Sequence, residues 1–242
     1  MKRETKQSRM FGLLEGEQAL RGKSVEAIIA DDQLFLHLTV IEAAMDLIDV
    51  FRQSSDGNDP DRRVVRLLGI RVFNALGAAH SLMLAGYYQN SSVILRDVLE
   101  TVFLLDYFTR DQTLIERWRT LDDREREKQF KPFAVRVALD KLDGFTSRKR
   151  EKLYKEFCAL AAHPHPSGFA MLRPGGMDAH CGPFLDPSAL EAVISEAGRL
   201  AVQAGGVVAF FMPEQWSPGF AARMHMVEVS AKWMATFYPQ TG

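Results

Sequence analysis

NSSVILRDVLETVFLLDYFTR, residues 90 to 110, decides the fold. Val93, Ile94, Leu95, Val98, Leu99, Val102, Phe103, Leu104, Leu105 and Phe108 cover most of the circumference of a helix. A helix that is apolar on so many sides is buried on several of them. The stretch is therefore expected at the centre of a bundle, with Asn90, Ser91 or Ser92 as its N-cap.

Working backwards, residues from Pro60 to about Tyr88 repeat apolar positions at Val64, Leu67, Leu68, Phe73, Leu76, Leu82 and Leu84. Small residues at Ala75, Gly77, Ala78, Ala79 and Ala85 favour close approach of a neighbour. The loop SSDGNDPD, residues 54 to 61, separates this helix from one over Ser24 to Phe51, with Ser24 as its expected cap. Residues 1 to 22 are polar, contain Gly12, Gly16 and Gly22, and read as a mobile tail or a docked segment. Residues 23 to 242 read as a single helical domain.

Working forwards, residues 110 to 131 carry both charge signs and suit short exposed helices. Further helices are expected over Lys131–Leu142, Ser147–Ala162, about Pro187–Phe211 with Asp186 as N-cap, and about Phe220–Phe237. Residues 164 to 187 are rich in Gly and Pro, and their RPGG centre predicts a small β-hairpin near residues 169–180. The expected architecture is all-α: an antiparallel helical bundle with extra C-terminal helices and that one hairpin.

Hydrophobic residues make up 47% and charged residues 25%, so the chain can bury a core. A formal net charge of -1 gives no global preference for nucleic acid or a membrane surface. Two cysteines do not make a disulfide scaffold, and MKRETKQSRM lacks the apolar run of a signal peptide. Val207–Met212 is too short to span a bilayer. A cytoplasmic location without membrane partners is expected. With no phosphate-binding glycine loop, dinucleotide fingerprint or nucleophile elbow, no cofactor is expected either.

Four features carry chemistry. In KEFCALAAHPHPSG, His163 and His165 stand two apart, each before a proline, and Pro164 and Pro166 bias them toward extended backbone. In that geometry both imidazoles face the same side; the plainer reading is a helix stop whose histidines cap or touch solvent. Arg96 and Glu100 share one face of the central helix, flanked by Asp97 and Thr101, as a solvated stripe or the border of a cleft that meets His163. RKREKLYK, residues 148 to 155, offers Arg150 and Lys155 as ligand-binding cations, or simply a solvated face. His163, His165, His180 and Cys181 have donors that zinc prefers but lack metal-site spacing, so no metal is expected. His80 reads as a core histidine satisfied by hydrogen bonding, and Trp118, Trp216 and Trp233 as packing anchors.

LRDVLE, residues 95 to 100, on a central apolar helix, followed by a Tyr-containing helix ending in a His-Pro turn, resembles the HEPN-like helical bundles, in particular an uncharacterised bacterial branch. The resemblance covers about residues 25 to 168. It implies antiparallel helices, homodimers, and contact with RNA or nucleotides, often in defence or toxin–antitoxin settings. Ribonucleases of that kind place an Arg shortly before the key His. At the corresponding positions before His163 this chain has Cys158, Phe157 and Glu156.

Three functions follow as expectations. The first is a HEPN-like homo-oligomer that binds RNA, a nucleotide or a protein partner. The second is a hydrolase, ribonuclease or zinc-dependent, centred on His163 and His165, with Arg96 and Glu100 in the catalytic set and His165, Lys155 and Arg150 binding ligand. The third is a non-catalytic oligomeric interaction protein.

Overall fold

The structure, a computed structural model, describes residues 9–55, 57–159 and 164–239. Arg9–Ala30 (α1) and Asp32–Gln53 (α2) divide at Asp31, whose carboxylate accepts from the backbone N–H of Gln33 (2.8 Å) and Leu34 (3.0 Å). The single helix expected from Ser24 to Phe51 is thus two helices. Its apolar period runs across the junction, and the period alone hides the cap.

Ser24 is no cap either: it is buried in the middle of α1, which extends back to Arg9 through the polar segment expected to be a tail or a docked segment. The reason lies in Pro60–Leu84 (α3), whose C-terminal carbonyls accept bonds from α1. The Ser24 hydroxyl donates to the Leu84 carbonyl at 3.0 Å, and the Arg21 guanidinium to the Ser81 carbonyl at 2.6 Å. A cation at a helix C-terminus is favoured by the helix dipole. Glycine costs about 1 kcal/mol in a helix, and these bonds offset that cost in α1. Asp59 caps the N-terminus of α3, with Pro60 in its first turn.

Tyr88–Arg110 (α4) follows α3 after a tight turn at Gly86, and the two pack along their length. As expected, α4 is deeply buried, with Leu95, Val98, Leu99, Leu105 and Phe108 inaccessible. Thr113–Thr120 (α5), Asp123–Phe130 (α6), Pro132–Leu142 (α7) and Lys149–Phe157 (α8) then cover one side of α4.

Residues 166–172 and 174–176 form short 3-10 turns, which corrects the expected β-hairpin. One cross-chain bond, from the His180 N–H to the Leu172 carbonyl at 2.9 Å, is all that resembles one. Pro166 and Pro174 each open a 3-10 turn and have no N–H for a ladder. Among the described residues there is no strand.

Pro187–Phe211 (α9), capped by Asp186 as expected, returns through the bundle and packs on α2, α3 and α4. Leu190, Ile194, Leu200, Ala201, Ala204 and Val208 are inaccessible, so α9 is as central as α4. Ser217–Phe237 (α10) lies against α2 and α9 and buries Met226, Val229 and Trp233. The closest helix approaches are at α9, not at Gly77, where a Cβ would meet Met45 at an ordinary 3.7 Å. At Gly198 it would lie 2.9 Å from the His37 ring and at Gly205 2.3 Å from Met226. By length and composition α3 and α9 could each cross a membrane; here half of the apolar window of α9 and a third of that of α3 are buried inside the protein.

Candidate functional site

The face of α4 that carries Arg96 and Glu100 meets α7 and α8. The Arg96 guanidinium donates to the Glu100 carboxylate at 2.8 Å and to the Tyr154 hydroxyl on α8 at 2.6 Å. Both members of the ion pair are about three-quarters buried. From α7, Arg136 lies over the Tyr154 ring, its guanidinium carbon 3.7 Å from the ring centre. Arg96 is 5.0 Å from the same centre. One tyrosine thus holds two guanidinium groups, an arrangement favoured by the negative faces of its ring.

The charge balance is uneven. Burial works against the charge of Arg96, but the Glu100 carboxylate and Tyr154 outweigh it and hold Arg96 more firmly protonated than a free arginine. Burial, then the nearby Glu100, push the Tyr154 hydroxyl above its ordinary range, so it remains a neutral donor. Arg136 is 5% exposed, yet among the described residues its Nε and Nη1 have no hydrogen-bond partner, and neither does the buried Nε of Arg96. Unmet donors on a buried cation are costly and need an explanation.

Glu100 also looks outward. With Asp97 and Thr101 it lines a pocket of about 280 Å³ whose apolar wall includes Phe103, Trp118 and Phe130. Arg71 on α3 pairs with Asp97 at 2.6 Å at the same pocket. The Arg96–Glu100 stripe therefore borders a cleft. Whether it meets His163 is another matter: His163 lies outside the described residues.

The other sequence-derived residues go elsewhere. Arg150 is tied to Asp140 (2.9 Å) and Asp143 within a network that also takes in Asp106 and Arg110. These bonds link α4, α7 and α8 and hold the Asp143 carboxyl below its usual range, with Arg150 the main cause. Lys155 is exposed and paired with Glu151 at 2.7 Å. His165 caps the first 3-10 turn: its Nδ1 contacts the Ser167 hydroxyl at 2.6 Å and accepts from the Ser167 N–H. His180 packs edge-on against Phe184, and Cys181 is exposed. Among the described residues, no three His, Cys, Asp or Glu side chains are grouped to hold a metal ion.

Two residues of this cluster do not stand out in the sequence. Tyr154 was noted only as part of a helix, and Arg136 not at all. Their signal is faint: a lone Arg between Val135 and Val137, on the apolar side of a short helix, is the kind of charge that needs a partner when buried. His80 also departs from expectation, since among the described residues its buried Nε2 has no partner. Burial, then the nearby Arg21, lower its pKa.

Comparison with protein-family models, with curated proteins and with solved structures finds no match to this chain.

Proposed function

We propose that this chain is a HEPN-like helical protein of the cytoplasm, homo-oligomeric, that binds an anionic ligand of the RNA or nucleotide type. The observation that carries the proposal is the exposed Arg71 guanidinium at the rim of the cleft, with the buried cations Arg96 and Arg136 behind Glu100. Phosphate oxygens pair with an exposed guanidinium through short, charge-assisted bonds. The adjoining pocket adds what a nucleobase needs: aromatic walls at Phe103, Trp118 and Phe130 for stacking, and Glu100 and Thr101 as hydrogen-bonding groups at its edge.

The test is fluorescence anisotropy with a labelled single-stranded RNA oligonucleotide and with a labelled adenine nucleotide, at low and physiological salt. Wild type should bind at least one. Arg71→Gln should weaken binding about tenfold, the equivalent of roughly 1.4 kcal/mol for one lost charged hydrogen bond. Equal affinity of wild type and Arg71→Gln would remove the site from the reading. Cleavage of the RNA by wild type, abolished in His163→Ala, would extend the proposal to a ribonuclease.

A further inference from the structure

Helix α10 is apolar on two opposite sides. Met226, Val229 and Trp233 face the core. Phe220, Met224, Val227, Ala231 and Met234 are all exposed, the four large ones by 44–58%. These positions follow one another at steps of four, three, four and three. At about 100° per residue they form one narrow stripe, turned away from the body of the protein. Its length is about 21 Å at 1.5 Å per residue. Single exposed apolar residues are ordinary, but a continuous seam with this alternation is the pattern of a helix that pairs with another helix.

The geometry points to a second copy of this chain as the occupant, with the two α10 helices side by side and parallel about a two-fold axis. This deepens the homo-oligomer part of the function proposed above and is independent of its ligand. The spacing alone allows either direction. The charges beside the seam choose between them. Arg223 and Glu228 flank the stripe on its two sides, five residues apart. In a parallel pair, such positions lie across the interface, so Arg223 of each copy meets Glu228 of the other, twice by symmetry. In an antiparallel pair Glu228 would face its own copy, a like-charge contact that disfavours that direction. Ala231, small and central in the seam, lets the two backbones approach.

Two measurements on the full chain decide the matter. Light scattering should give twice 27.3 kDa. Met224→Glu and Val227→Glu, both on the exposed seam, should return the mass to that of one chain with the helical circular-dichroism signal unchanged. Arg223→Glu alone and Glu228→Arg alone should each weaken the dimer several-fold, and the double variant should restore it. In a Cys158→Ala, Cys181→Ser background, Ala231→Cys should then cross-link to its own copy on oxidation, because disulfides need Cα atoms within about 7 Å. A monomer at all concentrations overturns both the interface and the homo-oligomer reading. A dimer without the Ala231→Cys cross-link, or one that cross-links only between Val227→Cys and Ala231→Cys, overturns the parallel α10 pair while leaving the oligomer in place.

Discussion

His37 shows how much one buried side chain reveals about this bundle. It sits on α2 at 3% exposure, accepts a hydrogen bond at Nδ1 from the Trp233 indole N–H at 2.8 Å, and stacks on Phe237 at 4.1 Å. Accepting at Nδ1 requires the neutral ring. Burial lowers its pKa to about 4, with Asp31 only partly opposing that. The folded state therefore takes up the proton at lower pH than the unfolded chain, whose histidine titrates near the ordinary 6.5. Above that value stability is unaffected by His37. As pH falls from about 6.5 to 4 the unfolded state gains protons first, and stability should drop by an amount of order 3 kcal/mol. Urea unfolding at pH 7 and pH 5 measures the slope, and His37→Phe should flatten it. Arg136 and Tyr154 make a comparable point for the site: neither stands out as a residue type, and their meaning comes from what they touch.

At the scale of elements, ends and turns carry most of the information. Gly86 joins α3 to α4 with φ at +88°, and a Cβ there would lie 2.3 Å from the Phe184 carbonyl oxygen. The turn thus supports the strand-free segment that leads into α9, whose Phe184 N–H reaches back to the Gly86 carbonyl. Gly86→Ala combines a left-handed backbone with a clash against main chain. It should cost about 2 kcal/mol or more in equilibrium unfolding, and a loss under 0.5 kcal/mol (roughly that of an ordinary surface change) would show that the contact is dispensable. Cap residues explain why some boundaries were legible. Asp186 before Pro187 and Asp59 before Pro60 are unambiguous helix starts. Asp31 has the same chemistry but stands inside an unbroken apolar period, and Ser24 has cap chemistry used by a different helix.

For the molecule as a whole, the burial of α9 matters most. The sequence marks α4 as the hub because it is greasy almost all round, and that expectation holds. Yet α9 fills the other half of the core with small residues that let α2 and α10 come close at Gly198 and Gly205. Leu99 and Leu200 are both inaccessible. Leu200→Ala should therefore destabilise the protein as much as Leu99→Ala, each by about 2–5 kcal/mol in urea unfolding. A Leu200→Ala variant close to wild type would show α9 to be an accessory helix, and α4 the sole hub.

Local chemistry is sufficient to determine the helical character of the chain, the cap at Asp186, and the buried character of residues 93 to 108, because period and capping act over a few residues. The cap expected at Asn90, Ser91 or Ser92 is not used, since α4 already starts at Tyr88 and the Ser91 and Ser92 hydroxyls donate to the Ala79 and Tyr88 carbonyls. The same local view misread residues 169 to 180, where Gly and Pro signal a turn without saying that no ladder can form beside it. Tertiary structure alone decided that α1 caps α3, that Arg150 is absorbed by carboxylates, and that Arg96 meets Tyr154 from 58 residues away. Such meetings depend on which helix faces pack together, and that is settled by the whole apolar surface at once rather than by any one stretch of chain.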